Sequence, residues 1–105
     1  MKSQRLACSI SKKVRQEVLE RDRHQCVVCG TRYHLTLAHV FYSRAHAGLG
    51  VKENLATLCM SCHHLIDNGN DYKKSQLIKY DVESYLKGLY DIDLTKLKYK
   101  NRWIR

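Results

Sequence analysis

Four of the five cysteines fall into two Cys-x-x-Cys pairs, Cys26/Cys29 and Cys59/Cys62. A two-residue gap lets both thiolates of a pair reach one ion from a tight turn, and four soft donors select tetrahedral zinc, read here as a structural Zn²⁺. The 29 residues between the pairs exceed the about 15–20 of the commonest such module, so a folded insert must lie between them. That insert carries His39 and Asn54, and His63 follows directly on Cys62. Imidazole titrates near neutrality, so it can move a proton or bind a metal. His63 and Asp67 are four residues apart, which on a helix places both on one face, within reach of a shared ion. His64 points about a hundred degrees away from them and is the weaker candidate.

The elements that must position these groups follow from periodicity. Ser11 can cap a helix over about residues 12 to 21, with Val14, Val18 and Leu19 as a short apolar stripe. Residues 26 to 30 read as a turn closed by Gly30. Leu35, Leu37 and His39 alternate with Thr36, Ala38 and Val40, which predicts a strand. Taken alone, His39 beside two leucines reads as a core histidine. Residues 41 to 53 read as an exposed glycine-containing loop, with Arg44 able to meet a DNA phosphate, leading to a short return strand. Asn54 falls near the closing of this hairpin, where asparagine is also an ordinary turn residue.

A helix is predicted from Cys59 to Asn68 with Gly69 at its C-cap. A second long helix begins at Asp71 or Ser75, and Ile78, Val82, Tyr85, Leu86 and Leu89 form its apolar stripe. Asp93 is a plausible cap. The tail carries Lys96, Lys98, Lys100 and Arg102 among Tyr99 and Trp103. This mixture suits nucleic acid through charge and stacking, and equally a strand that docks Leu97, Tyr99 and Trp103 inward. Residues 1 to 10 show no period and are expected to form a mobile or loosely docked basic arm. Cys8, the odd cysteine, is assigned no role.

At 105 residues the chain makes a single domain, 1–105. With 19 Lys+Arg against 10 Asp+Glu, the formal charge of +9 favours an anionic partner, and nucleic acid is the commonest. The excess sits in the flanks: residues 35 to 69 carry two basic and two acidic residues. Near-neutral chemistry between cationic flanks suits a reacting phosphate gripped on both sides. No apolar run is long enough to span a membrane, and four metal-spaced cysteines without a signal-peptide pattern favour a reducing, cytoplasmic setting.

The ordered set of motifs resembles the HNH nuclease family, in its zinc-containing ββα-metal form, over about residues 11 to 69. Cys26-x-x-Cys29-Gly30 resembles the opening knuckle, and Leu37-Ala38-His39-Val40 the strand bearing the first histidine. Gly48-Leu49-Gly50 with Asn54-Leu55 resembles the glycine loop and central asparagine, and Leu58-Cys59-x-x-Cys62-His63 the helix entry. One position departs: many members have an acidic residue or histidine where this chain has Ala38. The resemblance implies an α+β fold with a small zinc-anchored, treble-clef-like core, flanked by helices and extended by the helix and basic tail of 70–105. It implies a metal-dependent DNA endonuclease with His39, Asn54 and His63 as the catalytic set. His39 would be the general base, and Asn54 would orient it or join the metal shell. His63 and Asp67 would hold a catalytic Mg²⁺ or Mn²⁺, and Arg44, Lys98, Lys100 and Arg102 would contact DNA. The rival reading is a zinc module that binds DNA or protein without cutting it, and a purely structural zinc protein is a third. DNA is the expected partner, no membrane is involved, and no oligomeric state is assigned.

Overall fold

Ser11 starts the first long helix as expected. Its hydroxyl accepts from the Val14 N–H at 3.1 Å, supplying one of the acceptors that a helix start lacks. The structure, a computed structural model, describes residues 4–68 and 71–99. Its elements are helix α1 (Gln4–Cys8), helix α2 (Lys12–Arg21), strand β1 (Leu35–His39), strand β2 (Leu55–Cys59), helix α3 (Met60–Asn68) and helix α4 (Tyr72–Leu89). The helix stop expected at Gly69 and the tail residues Lys100, Arg102 and Trp103 lie outside the described residues.

Helix α2 ends in a reversal that sends the chain into the first knuckle. The His24 N–H returns to the Leu19 carbonyl at 2.8 Å and the Arg23 N–H to Glu20 at 3.1 Å, with Arg23 and His24 at φ of 57° and 53°. This is the six-to-one and five-to-two bonding of a Schellman stop, with arginine where glycine is usual. At the other end of the core, Asp71 caps α4 by accepting from the Lys74 N–H at 3.1 Å.

β1 and β2 form a two-stranded antiparallel sheet in which Ala38 faces Ala56 and His39 faces Leu55. The return strand follows Asn54, rather than preceding it as the sequence pattern suggested. All five of its residues are buried, so it carries no polar alternation that would mark it as a strand. Helices cover both faces of the sheet. On one side Leu37 and Leu55 pack with Val18 of α2. On the other, Ala38, Ala56 and Leu58 pack with Ile78, Val82 and Leu86 of α4 and with Cys26, Cys59 and Cys62. The small Ala38/Ala56 pair is what lets α4 approach, which gives a packing reason for alanine at position 38. Of the predicted α4 stripe, Ile78, Val82 and Leu86 are buried, whereas Leu89 is 47% exposed.

A polar junction inside the fold escaped the sequence reading. Asp22, just past α2, accepts four hydrogen bonds: from Arg21 Nε at 2.8 Å and Nη2 at 2.9 Å, from the Tyr85 hydroxyl at 2.6 Å, and from the Thr57 N–H at 2.9 Å. Arg21 also donates to the carbonyls of Lys52 and Leu55, each at 2.8 Å. Burial alone would raise the Asp22 pKa, but the bonds from Arg21, Tyr85 and Thr57 outweigh it and hold the carboxyl below its ordinary value. Tyr85, partly buried and tied to that carboxylate, is pushed up to about 12.

The described part of the N-terminal segment, residues 4–10, is closely docked where a mobile or loosely docked arm was expected. Cys8 is 1% exposed, and the Gly50 N–H donates to the Ala7 carbonyl at 3.1 Å. A Cβ on Gly50 would lie 2.1 Å from the Ser9 carbonyl oxygen, so only glycine admits this approach.

Asp22→Asn should destabilise the fold by about 3–5 kcal/mol, because it leaves the Arg21 charge buried without its partner; chemical denaturation measures it. Because the folded-state pKa of Asp22 is depressed, its contribution is present above the ordinary carboxylate range and is lost as pH falls through the depressed value. The wild type should therefore lose stability in acid more steeply than Asp22→Asn. By contrast Thr57→Val, which removes a buried hydroxyl with no partner among the described residues, should be neutral or stabilising by up to about 1–3 kcal/mol.

Candidate metal centre and adjoining cleft

The two Cys-x-x-Cys turns come from different parts of the fold. Cys26 to Gly30 is closed by the Gly30 N–H on the Cys26 carbonyl at 2.9 Å, with Gly30 at φ 80°. It is anchored to β2 by the Val27 N–H on the Thr57 carbonyl at 3.0 Å. Cys59 ends β2 and Cys62 lies in the first turn of α3, where its N–H donates to the Cys59 sulfur at 3.4 Å. The four Sγ atoms lie within 4.8 Å of one another, with Cys29 and Cys59 3.6 Å apart. Sulfurs at about 2.3 Å from a tetrahedral zinc are about 3.8 Å apart, whereas a disulfide needs about 2.05 Å, so the cluster fits a metal and not a covalent bridge.

The charges point the same way. Burial works to raise the Cys26 thiol, yet neighbouring backbone N–H groups bring it down to about 7. Burial and the adjacent thiols push Cys62 well up. Thiolates this close repel one another, and a divalent cation removes that conflict. The four cysteines can therefore hold zinc, and the centre ties the segment after α2 to the β2–α3 junction.

Beyond this centre the structure fixes the two histidines by proton accounting. His39 Nε2 lies 3.0 Å from the Cys8 carbonyl oxygen, which can only accept, so Nε2 carries the proton and Nδ1 of the neutral ring holds a lone pair. Burial, assisted by the charges of Arg44 and His63, holds His39 below its ordinary 6.5, with the Cys8 bond opposing in part. At His63, Nδ1 faces Thr36 Oγ1 at 2.8 Å, while that hydroxyl gives its single proton to the Leu58 carbonyl at 2.8 Å. His63 Nδ1 must therefore donate. Its Nε2 faces Asp67 Oδ2 at 3.1 Å, and two lone pairs cannot satisfy each other. A cation shared by both atoms would close the pair.

Asn54 departs from expectation. It is fully buried and spends its amide on main chain: Oδ1 accepts from the Phe41 and Tyr42 N–H groups, and Nδ2 donates to the Tyr42 and Leu49 carbonyls. It thus pins the loop that follows His39, and the ring itself is held by Cys8. Gly48 belongs to the same constraint, since a Cβ there would lie 1.8 Å from the Tyr42 carbonyl oxygen. Arg44 Nη2 donates to Ser9 Oγ at 3.3 Å on the His39 side. Lys98 sits 5.6 Å from the Tyr42 ring, and Leu97 and Tyr99 bond the loop backbone at Leu49 and Ala47, so the start of the tail docks here.

A cleft of about 410 Å³ brings His39 and Asp67 together with Tyr42, His46, Gln76 and Lys79. Lys79, Thr36 and the Cys8 carbonyl were not singled out from the sequence. Alternation along β1 could have marked Thr36, but no local pattern marks a backbone carbonyl 31 residues before the histidine it holds. Among the described residues no helix is long and apolar enough to cross a membrane. In comparisons with known proteins, no family model, curated protein or solved structure matches the chain.

Purified protein should carry one zinc per chain. Structural zinc contributes about 10–16 kcal/mol in small fingers, which equals or exceeds the whole stability of a typical domain, so chelation should unfold it. Stoichiometric zinc and an unchanged melt in Cys59→Ser would count against the centre.

Proposed function

We propose that the chain is a metal-dependent DNA endonuclease of the HNH, ββα-metal kind, hydrolysing phosphodiester bonds with His39 as general base. The observation that carries this reading is the His39 ring: its Nε2 proton is committed to the Cys8 carbonyl, which leaves the lone pair on Nδ1, and the residue lines a cleft together with Asp67. A base needs a fixed tautomer and a neutral ring at working pH, and His39 has both. The order β1, β2, α3, with cysteines at the end of β2 and the start of α3, agrees with a treble-clef-like core.

His39 takes the proton of a water directed at phosphorus, and the Cys8 carbonyl stabilises the imidazolium that results. Asn54 holds the 41–49 loop and so fixes where the strand ends behind His39. His63 Nε2 and Asp67 Oδ2, 3.1 Å apart, would together hold Mg²⁺ or Mn²⁺. When bound, that ion neutralises charge on the phosphate and on the leaving 3′ oxygen. Arg44 and Lys98, on the same side, would meet flanking phosphates, with Lys100 and Arg102 beyond them in sequence.

The second reading is a zinc module that binds without cutting. It is favoured by Ala38, 5% exposed and packed beneath α4, where a further metal ligand would otherwise stand.

Plasmid cleavage by the zinc-loaded protein with Mg²⁺, Mn²⁺ or no added divalent ion separates the two readings. His39→Ala should lower the rate by about 10²–10⁴. His63→Ala and Asp67→Ala should each lose divalent-dependent cleavage while zinc content and DNA affinity persist. Equal behaviour of wild type and His39→Ala, both zinc-loaded and DNA-bound, would sink the nuclease reading. Because the His39 pKa is lowered, the base form prevails through neutral pH, so single-turnover cleavage should stay flat there and fall only on the acid side of 6.5.

A further inference from the structure

Helix α4 lies outside the strand–strand–helix unit, yet it forms one wall of the cleft. Its rotation is fixed: Ile78, Val82 and Leu86 enter the core, and Ser75 Oγ donates to the Ile66 carbonyl of α3 at 3.0 Å. One turn on from Ser75, this orientation leaves Lys79 at the cleft with His39 and Asp67, and also at a narrow recess beside Ala38. Lys79 is partly buried. Among the described residues it has no ion pair, hydrogen bond or ring contact, while Asp67 is engaged by His63 at 3.1 Å. Three lysines elsewhere on the chain sit over rings instead: Lys52 over Tyr90 at 5.7 Å, Lys87 over Phe41 at 5.9 Å and Lys98 over Tyr42 at 5.6 Å. A lysine at a cleft with no protein anion of its own can offer its ammonium to an anion that enters there.

We propose that Lys79 is a phosphate-binding residue of the cleft, contacting the backbone phosphate of a DNA strand that lies between α4 and the His39 loop. The proposal rests on the reading of this cleft as a phosphodiester site. It assigns α4 a part in substrate binding: where Ala38 supplies no ligand, α4 supplies a cation. Lysine suits this role as a point charge whose three donors adapt to a phosphate oxygen.

The test uses binding of a short DNA duplex by the zinc-loaded protein with no Mg²⁺ or Mn²⁺ added, so that the fold is kept and cleavage plays no part. Replacing Lys79 by Gln should reduce the slope of log affinity against log salt by about 0.9, the effect of one lost phosphate contact. Lys79→Arg should keep the wild-type slope. An amine-reactive footprint of wild-type protein provides a measurement that no folding defect can confuse: duplex should protect Lys79 and leave Lys12, on the exposed face of α2, reactive. Unchanged slope in Lys79→Gln, or no protection of Lys79 in a protein that binds and cuts DNA, overturns the proposal and leaves the nuclease reading in place. Protection and a reduced slope in a protein that cuts nothing support the Lys79 contact and remove the nuclease reading. Failure of wild type to bind duplex at all overturns both.

Discussion

The carboxylate of Asp22 is the point on which the arrangement of elements depends. A buried acceptor with two oxygens must be given donors, and here they come from the end of α2, the middle of β2 and the face of α4. Because each donor also belongs to a packed element, the carboxylate fixes the relative placement of three segments that share little sequence proximity. Arg21 extends the junction to the residues flanking Asn54, through the Lys52 and Leu55 carbonyls. Apolar contacts are tolerant of sliding, whereas a four-donor carboxylate is not. The sheet between α2 and α4 therefore has one register relative to both helices.

The cysteine centre works on a different scale. With a metal bound it would hold the turn after α2 to the β2–α3 junction, so that the helix bearing His63 and Asp67 would start from a restrained point. The first Cys-x-x-Cys turn is itself bonded to Thr57, next to the bond that Thr57 gives Asp22. The polar junction and the sulfur cluster thus share one strand, and damage to either is felt at the other.

Much of the candidate site was legible because its chemistry is written in local spacing. The Cys-x-x-Cys pairs, the four-residue step from His63 to Asp67 and the Ser11 cap each involve residues whose meeting is dictated by a turn or a helix. The stripe of α4 was legible for the same reason. The fully buried β2 was misplaced, since a strand covered on both faces loses its alternation. Asn54 was read as a partner for His39 because the two recur together in the family pattern; its bonds to the Tyr42 and Leu49 backbone depend on the loop's path, which residue types do not encode. Asp22 and Arg21 carry no local signal of their junction, because its other donors and acceptors come from β2, α4 and the segment before β2.

The bond between His39 and the Cys8 carbonyl has a further implication. The tautomer of a ring in the sheet is decided by an atom that every amino acid possesses, so the identity of residue 8 contributes nothing to it directly. Substitutions there would act through the size of the side chain in its buried position, while the acceptor itself would persist through all of them. What carries the information is the course of the main chain between α1 and Ser11, held by Gly50 against Ser9. Shifting that course, for instance by lengthening the segment by one residue, would free the ring to exchange its two nitrogens even though every side chain of the cleft remained in place.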